Sequence, residues 1–241
     1  MKKLALILLA VALIFTFASC SKSSSSAAPS TSASASVAPA AESSSTTPST
    51  GTVDSEYDPN KTVDFTQQTS EENRVVTIGT IDKSLYKQPV FVTSFGQSTD
   101  AAMLDTVMKR IGVDYVYNAT ATADTIKGYK TIIIAVGAST KGLGAAGISE
   151  ADETARAKAI MEYINTNDVE VICCHIGGSA RRGTLSDLYS DMVMEKASLI
   201  VLKEDANFDY KFTKYAEEHN KPISLIYATK DALTVFTEIF Q

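Results

Sequence analysis

From residue 89 onward the hydrophobic positions of this chain follow two alternating rhythms. Near-continuous apolar, β-branched runs occur at 89–94 (PVFVTS), 113–117 (VDYVY), 131–136 (TIIIAV), 169–175 (VEVICCH), 199–202 (LIVL) and 223–227 (ISLIY). Strands buried on both faces carry such runs, whereas strands with one wet face alternate. Between the runs, apolar residues recur at helical spacing. Over 100–111, Ala101, Leu104, Val107, Met108 and Ile111 share one face. A helix over 150–164 follows Ser149, which opens Ser149-Glu150-Ala151-Asp152, a capping-box variant with Asp in the third position. Further helices are predicted over 185–196, after Thr184 with Asp187 three residues on, over 208–219 and over 231–240.

Strand–helix alternation of this kind implies a parallel sheet with right-handed crossovers and helices on both faces. The expected fold is α/β: a three-layer doubly wound parallel sheet, flavodoxin-like or Rossmann-like, of about five or six strands. Between 117 and 131 only a short turn of helix fits, near 122–127. A short second crossover suits the flavodoxin-like order 2-1-3-4-5. One more strand-like run, 74–80, is either an added edge strand or part of a lead-in spanning 71–88.

The N-terminal region follows different rules. Lys2 and Lys3 precede an apolar run over 4–17, too short to span a bilayer comfortably. Phe17-Ala18-Ser19-Cys20 then ends it with small residues and a cysteine. This is the layout of a signal peptide over 1–19. Its small-small-Cys end resembles the bacterial lipobox, in which Cys20 is lipidated. From Ser21 to Thr50, 27 of 30 residues are Ser, Ala, Thr or Pro. Such a segment has no apolar period to offset its ordering entropy, so 20–70 reads as a disordered tether. A coil of that length spans roughly 40 Å on average.

The remaining residues, 89–241 with the lead-in, suffice for one domain. Without Lys2 and Lys3, 20 basic side chains face 28 acidic ones, a net of −8, so nucleic acid is not an expected partner. Cys173 and Cys174 are adjacent, and neighbours on a strand point to opposite faces, so both are expected as buried thiols. The sequence carries no disulfide framework and no Cys/His metal spacing.

In open parallel sheets, ligands bind beyond the carboxyl ends of the strands, near the switch in strand order. Three loops rich in Gly, Ser and Thr fall there. The first holds Ser94, Gly96, Gln97 and Ser98. The second holds Ser139, Lys141, Gly142 and Gly144. The third, "CHIGGSARRGTLSD", holds His175, Gly177, Gly178, Arg181 and Arg182. Glycines let backbone N–H groups approach a ligand, helix N-termini add partial positive charge, and arginine grips carboxylate or phosphate with two hydrogen bonds. The more ordinary reading pairs Arg181 and Arg182 with surface carboxylates. The letters of 142–147 match a dinucleotide fingerprint, but the helix cap Ser149 lies after the last glycine and the next strand ends in Cys174-His175 instead of an acid. No cofactor is expected. His175, at a strand end, is a candidate general base or a structural histidine. Ser94, Ser98 and Ser139 lack a Gly-x-Ser-x-Gly elbow, and Cys174 near His175 is either a nucleophile or core filling.

At "TSFGQSTDAAM", "VGASTKGLGAAGISEADE" and "HIGGSARRGTLSD" the chain resembles an uncharacterised family of bacterial secreted or lipid-anchored domains. The resemblance covers 89–240. It implies that these loops define the family's site and implies no reaction, substrate or cofactor.

The leading expectation is a lipoprotein, held on the extracytoplasmic face of a bacterial membrane through Cys20, whose α/β domain binds a small anionic solute at the carboxyl edge of its sheet. The rivals are a hydrolase or transferase using His175 with a serine or Cys174, and a protein-interaction module of the envelope. The sequence does not specify an oligomeric state.

Overall fold

In the computed structural model, which describes residues 65–241, the apolar runs become neighbouring strands. They are β1 (Val75–Ile78), β2 (Val90–Phe95), β3 (Tyr115–Tyr117), β4 (Thr131–Val136), β5 (Glu170–His175), β6 (Leu199–Lys203) and β7 (Ile223–Ile226). Their order across the sheet is β1-β7-β6-β5-β4-β2-β3. From β2 to β7 all pairings are parallel. β1 lies antiparallel on β7, with Val75 opposite Ile226. The run at 74–80 is therefore an added edge strand. Without it, the order is the flavodoxin-like arrangement extended by a sixth parallel strand. The switch in strand order falls between β2 and β4, where Phe95 sits opposite Val136.

Among the described residues six helices complete the layers: α1 (Asp100–Ile111), α2 (Thr140–Ala146), α3 (Glu150–Thr166), α4 (Thr184–Met194), α5 (Lys211–Glu218) and α6 (Ala232–Phe240). α1 and α6 bury Leu104, Met108 and Phe236 against Val92, Ile133, Cys174 and Val201 on one face. α3, α4 and α5 bury Ile160, Tyr189 and Phe212 against Phe91, Ile134, Cys173 and Leu202 on the other. Cys173 and Cys174 thus point to opposite faces, both fully buried.

Helix starts differ from expectation in three places, one being α5, which begins at Lys211 instead of 208 after a 3-10 turn over Glu204–Asn207. α2 forms inside the second glycine loop, where Ser139 Oγ accepts the Gly142 N–H at 3.1 Å. α4 begins with Thr184 inside its first turn and Gly183 as the N-cap, so Thr184 does not cap it, and the Asp187 carboxylate binds Arg182. Ser149 does cap α3: its Oγ accepts the Asp152 N–H at 3.1 Å and donates to the Asp152 carboxylate at 2.6 Å. Asp152 therefore closes the cap through the serine hydroxyl instead of reaching the Ser149 backbone.

Residues 65–70, which the sequence assigns to the tether, are held by the domain. The buried Glu204 carboxylate accepts both Gln68 N–H and Thr69 N–H at 2.6 Å. Cys20, the signal segment and residues 20–64 of the tether lie outside the described residues. Among the described residues no helix is long and apolar enough to cross a membrane.

Candidate functional site

The carboxyl ends of β2 and β4 stay paired beyond the strands proper. Gly137 N–H donates to the Phe95 carbonyl at 2.9 Å, and Ser139 N–H to the Gly96 carbonyl at 2.8 Å. A Cβ on Gly96 would lie 2.5 Å from the Gly137 oxygen, and its φ is +96°, so the residue type is fixed by both contact and backbone. Gln97 follows with φ +56° and pairs with Ala138.

This turn is held from behind by a buried ion pair that sequence reading missed. Glu153 on α3 is fully buried, and its Oε1 accepts Gly96 N–H at 2.7 Å and the Gln97 side-chain amide at 3.1 Å. Arg156 compensates the charge through Nε at 2.8 Å and Nη2 at 2.7 Å, and also donates to the Ala121 and Ser94 carbonyls. Gly96 N–H and the Gln97 amide are therefore spent inside the protein and do not serve a ligand. Gly142 is likewise structural: its Cα hydrogens face the Gln97 carbonyl, where a Cβ would overlap at 1.8 Å. Ser139 is the α2 cap. Ser94 is fully buried, its hydroxyl without a partner among the described residues. Lys141 and Gly144 project from α2 into solvent.

The two neighbouring arginines separate completely. The Arg182 side chain is 1% exposed and is saturated by Asp187 at 2.8 and 2.9 Å, by Asp209 at 2.7 and 3.0 Å, and by the Ala206 carbonyl. Its guanidinium also stacks over Phe208 and Phe212. Burial disfavours its charge, yet the bonds to Asp209 and Asp187 outweigh burial and hold its pKa above the ordinary arginine value. Arg182 locks the α4 and α5 sides together and offers nothing to a solute. Arg181 is half-buried at the sheet edge, and its guanidinium makes no hydrogen bond or ion pair among the described residues.

His175 does not join the edge either. It is fully buried on the α5 side, its ring 5.4 Å from that of Phe212, and neither ring nitrogen has a hydrogen-bond partner in bonding geometry among the described residues. Burial first, and the nearby Arg182 charge second, push its pKa down to about 4, while backbone groups at His175 and Arg181 oppose the shift. Cys174 faces α1 on the other side of the sheet, and burial raises its thiol well above the usual value. A His175–Cys174 pair is excluded because adjacent strand residues point apart. With His175 inaccessible, no serine of the edge has it as a base.

What the structure does bring together is Asp100, Ser98, Gly137, Gly177 and Arg181. Asp100 opens α1 and is only 4% exposed. Its Oδ2 lies 3.5 Å from where a Cβ on Gly137 would stand and 2.6 Å from where one on Gly177 would stand. Glycine at these two strand ends makes room for a carboxylate. Ser98 is also buried, its Oγ accepting the Asp100 N–H at 3.3 Å. Burial raises the Asp100 pKa, and the Arg181 charge, the Ser98 hydroxyl and the Gly177 backbone pull the other way. Asp100 Oδ2 nevertheless has no hydrogen-bond partner among the described residues. Next along the edge, Gly178 stands against the Lys203–Asp205 pair, whose atoms are 2.6 Å apart.

Two grooves lie elsewhere. One of about 550 Å³ is lined by Gly79, Thr80, Asn220 and Pro222, and another of about 280 Å³ by Lys87, Lys130, Asp168 and Glu170. Both sit at the amino ends of the parallel strands and touch none of the three loops.

A family model described as a domain of unknown function, DUF6305, matches residues 87–240. No curated protein matches the chain. Among solved structures, a GDSL-like lipase from Bacteroides thetaiotaomicron VPI-5482 is 13% identical over 59% of this chain and 73% of that one, with a TM-score of 0.26. A candidate acylhydrolase from Bacteroides fragilis NCTC 9343 is 11% identical over 57% of this chain and 68% of that one, with a TM-score of 0.25. At these values the likeness carries no argument about activity.

Proposed function

Since the chain belongs to the DUF6305 family, whose description names no activity, we propose from the site alone that its α/β domain captures a small solute by an anionic group at the carboxyl edge of the sheet. The supporting observation is Arg181, half-buried beside the glycine-lined strand ends with no ion pair or hydrogen bond among the described residues. An unpaired guanidinium there is ready to grip a carboxylate or phosphate through two charge-assisted hydrogen bonds. Lys141, exposed on the adjacent α2, adds a second positive charge.

The test is calorimetry and thermal shift on the full-length chain with inorganic phosphate, short carboxylates and nucleotides. At least one raises the melting temperature, and Arg181→Ala abolishes that rise. If no anion stabilises the protein and Arg181→Ala changes nothing, the reading is wrong.

The domain works, in this reading, at the outer face of a bacterial membrane. The support is the order of apolar segment, Ala18-Ser19-Cys20 and the Ser/Ala/Thr/Pro stretch. Two acyl chains on one cysteine hold a protein to a bilayer where a single chain does so only marginally. Cys20→Ser removes metabolic lipid labelling and membrane association. A wild-type chain that is unlabelled and found in the secreted fraction overturns the anchor.

A further inference from the structure

Asp100 has no place in a site built for an anion alone. Its carboxylate would repel the group that Arg181 attracts. Yet two glycines leave room for it, and its Oδ2 is buried and unpartnered among the described residues. A buried charge is stable only when paired with an opposite charge or a donor. No donor meets Oδ2 in bonding geometry among the described residues, although the Arg181 charge, the Ser98 hydroxyl and the Gly177 backbone lie near enough to the carboxylate to ease part of its burial. The Arg181 Cγ and the Asp100 Oδ2 stand 2.3 and 2.6 Å from one point, the Cβ position of Gly177. The Arg181 stem and the carboxylate thus border the same glycine.

Resting on the solute-capture reading, we propose that the ligand is a compact zwitterion of the α-amino acid class, its carboxylate held by Arg181 and its ammonium by Asp100 beside Ser98. The pair of protein charges matches the pair on the ligand in sign, and the Arg181 charge is near enough to act on Asp100. Each ion then leaves water against an opposite ion. A carboxylate lacking the ammonium leaves Asp100 uncompensated, so the site discriminates by what it would strand. Gly137 and Gly177 keep the Asp100 oxygen unobstructed.

The test titrates the full-length chain with the common α-amino acids. For each one that binds, it adds the matched acid without the amino group and the matched α-hydroxy acid. At least one amino acid binds, and its two analogues bind tenfold or more weakly. Asp100→Asn, which keeps the side chain's shape, weakens the amino acid tenfold or more and lets the amine-free acid bind as tightly as before or more tightly, since the repelling charge is gone. Arg181→Ala weakens both. If Asp100→Asn does not fold, the analogue series on the wild type decides alone. Amine-free acids or phosphate binding as tightly as any amino acid overturn the zwitterion and leave solute capture standing. If no anion of any kind binds and Arg181→Ala has no effect, both readings fall.

Discussion

The buried Glu153 carboxylate on α3 accepts the backbone N–H of Gly96 at 2.7 Å, across 57 residues of chain. This one bond ties the α3 layer to the turn that ends β2, and the turn leads through Ser98 into α1 at Asp100. Glu153→Ala would leave Arg156 buried without its partner, and removing one member of a buried ion pair costs about 3–5 kcal/mol. Urea denaturation of the variant checks this. Glu153→Ala with Arg156→Ala together should cost less than the two single losses added.

Arg181 and Arg182, adjacent in sequence, are expected to fail in opposite ways. Arg182→Ala removes a buried guanidinium with five hydrogen bonds and lowers stability by about 2–3 kcal/mol, less than a fully buried pair because Asp187 and Asp209 are partly exposed and Asp187 keeps Lys211. Arg181→Ala breaks no bond among the described residues and should change stability by no more than about 0.5 kcal/mol. Ligand binding moves the other way round: it is lost at 181 and retained by whatever fraction of the 182 variant stays folded. Melting curves and calorimetry on the two proteins make the comparison.

Two glycines of the second loop give a second contrast. Gly142→Ala would place a Cβ 1.8 Å from the Gln97 carbonyl oxygen, a backbone atom that cannot swing aside. Overpacking of that kind costs about 1–3 kcal/mol. Gly144 lies in α2 with nothing within 4 Å of a Cβ, so Gly144→Ala stabilises by about 0.4–1 kcal/mol. Thermal melts of the pair should therefore shift in opposite directions.

The buried His175 predicts an acid-sensitive fold. Its folded pKa of about 4 lies below the ordinary 6.5, so between these values the unfolded chain binds the proton and the folded one does not. Stability is full above pH 6.5 and falls as pH drops toward 4, by about 3 kcal/mol in all for a shift of that size. Asp100, with its raised pKa, acts with the opposite sign. Comparison with His175→Gln over the same pH series cancels that contribution. The variant should lose the wild type's slope between pH 6.5 and 4; an unchanged slope would show that His175 is not its source.

Much of the fold was legible because periodicity reports burial. The helix predicted over 100–111 is α1 to the residue, and each predicted strand lies within two residues of an observed one. What failed was orientation. β5 is apolar on both faces, so nothing in VEVICCH says which way His175 points. Adjacent arginines carry no mark of which one meets Asp187 and Asp209, since Asp209 is 27 residues away in the chain. α2 was hidden because glycines and alanines at a loop show no apolar face. Asp100 stands in the first turn of α1, where acids are common, so nothing in the sequence marks it as buried. Glu153 did leave a signal: it shares the helical spacing of Ala157, Ile160 and Ile164, and an acid in an apolar stripe asks for a buried partner.

Both margins of the sheet are short. β1 has four residues and β3 has three. β1 occupies the hydrogen-bonding edge of the fully buried β7, an apolar template that would otherwise be open to a strand from another molecule. Neither border offers a partner more than a few rungs of ladder. That brevity limits edge-to-edge aggregation between copies of the domain.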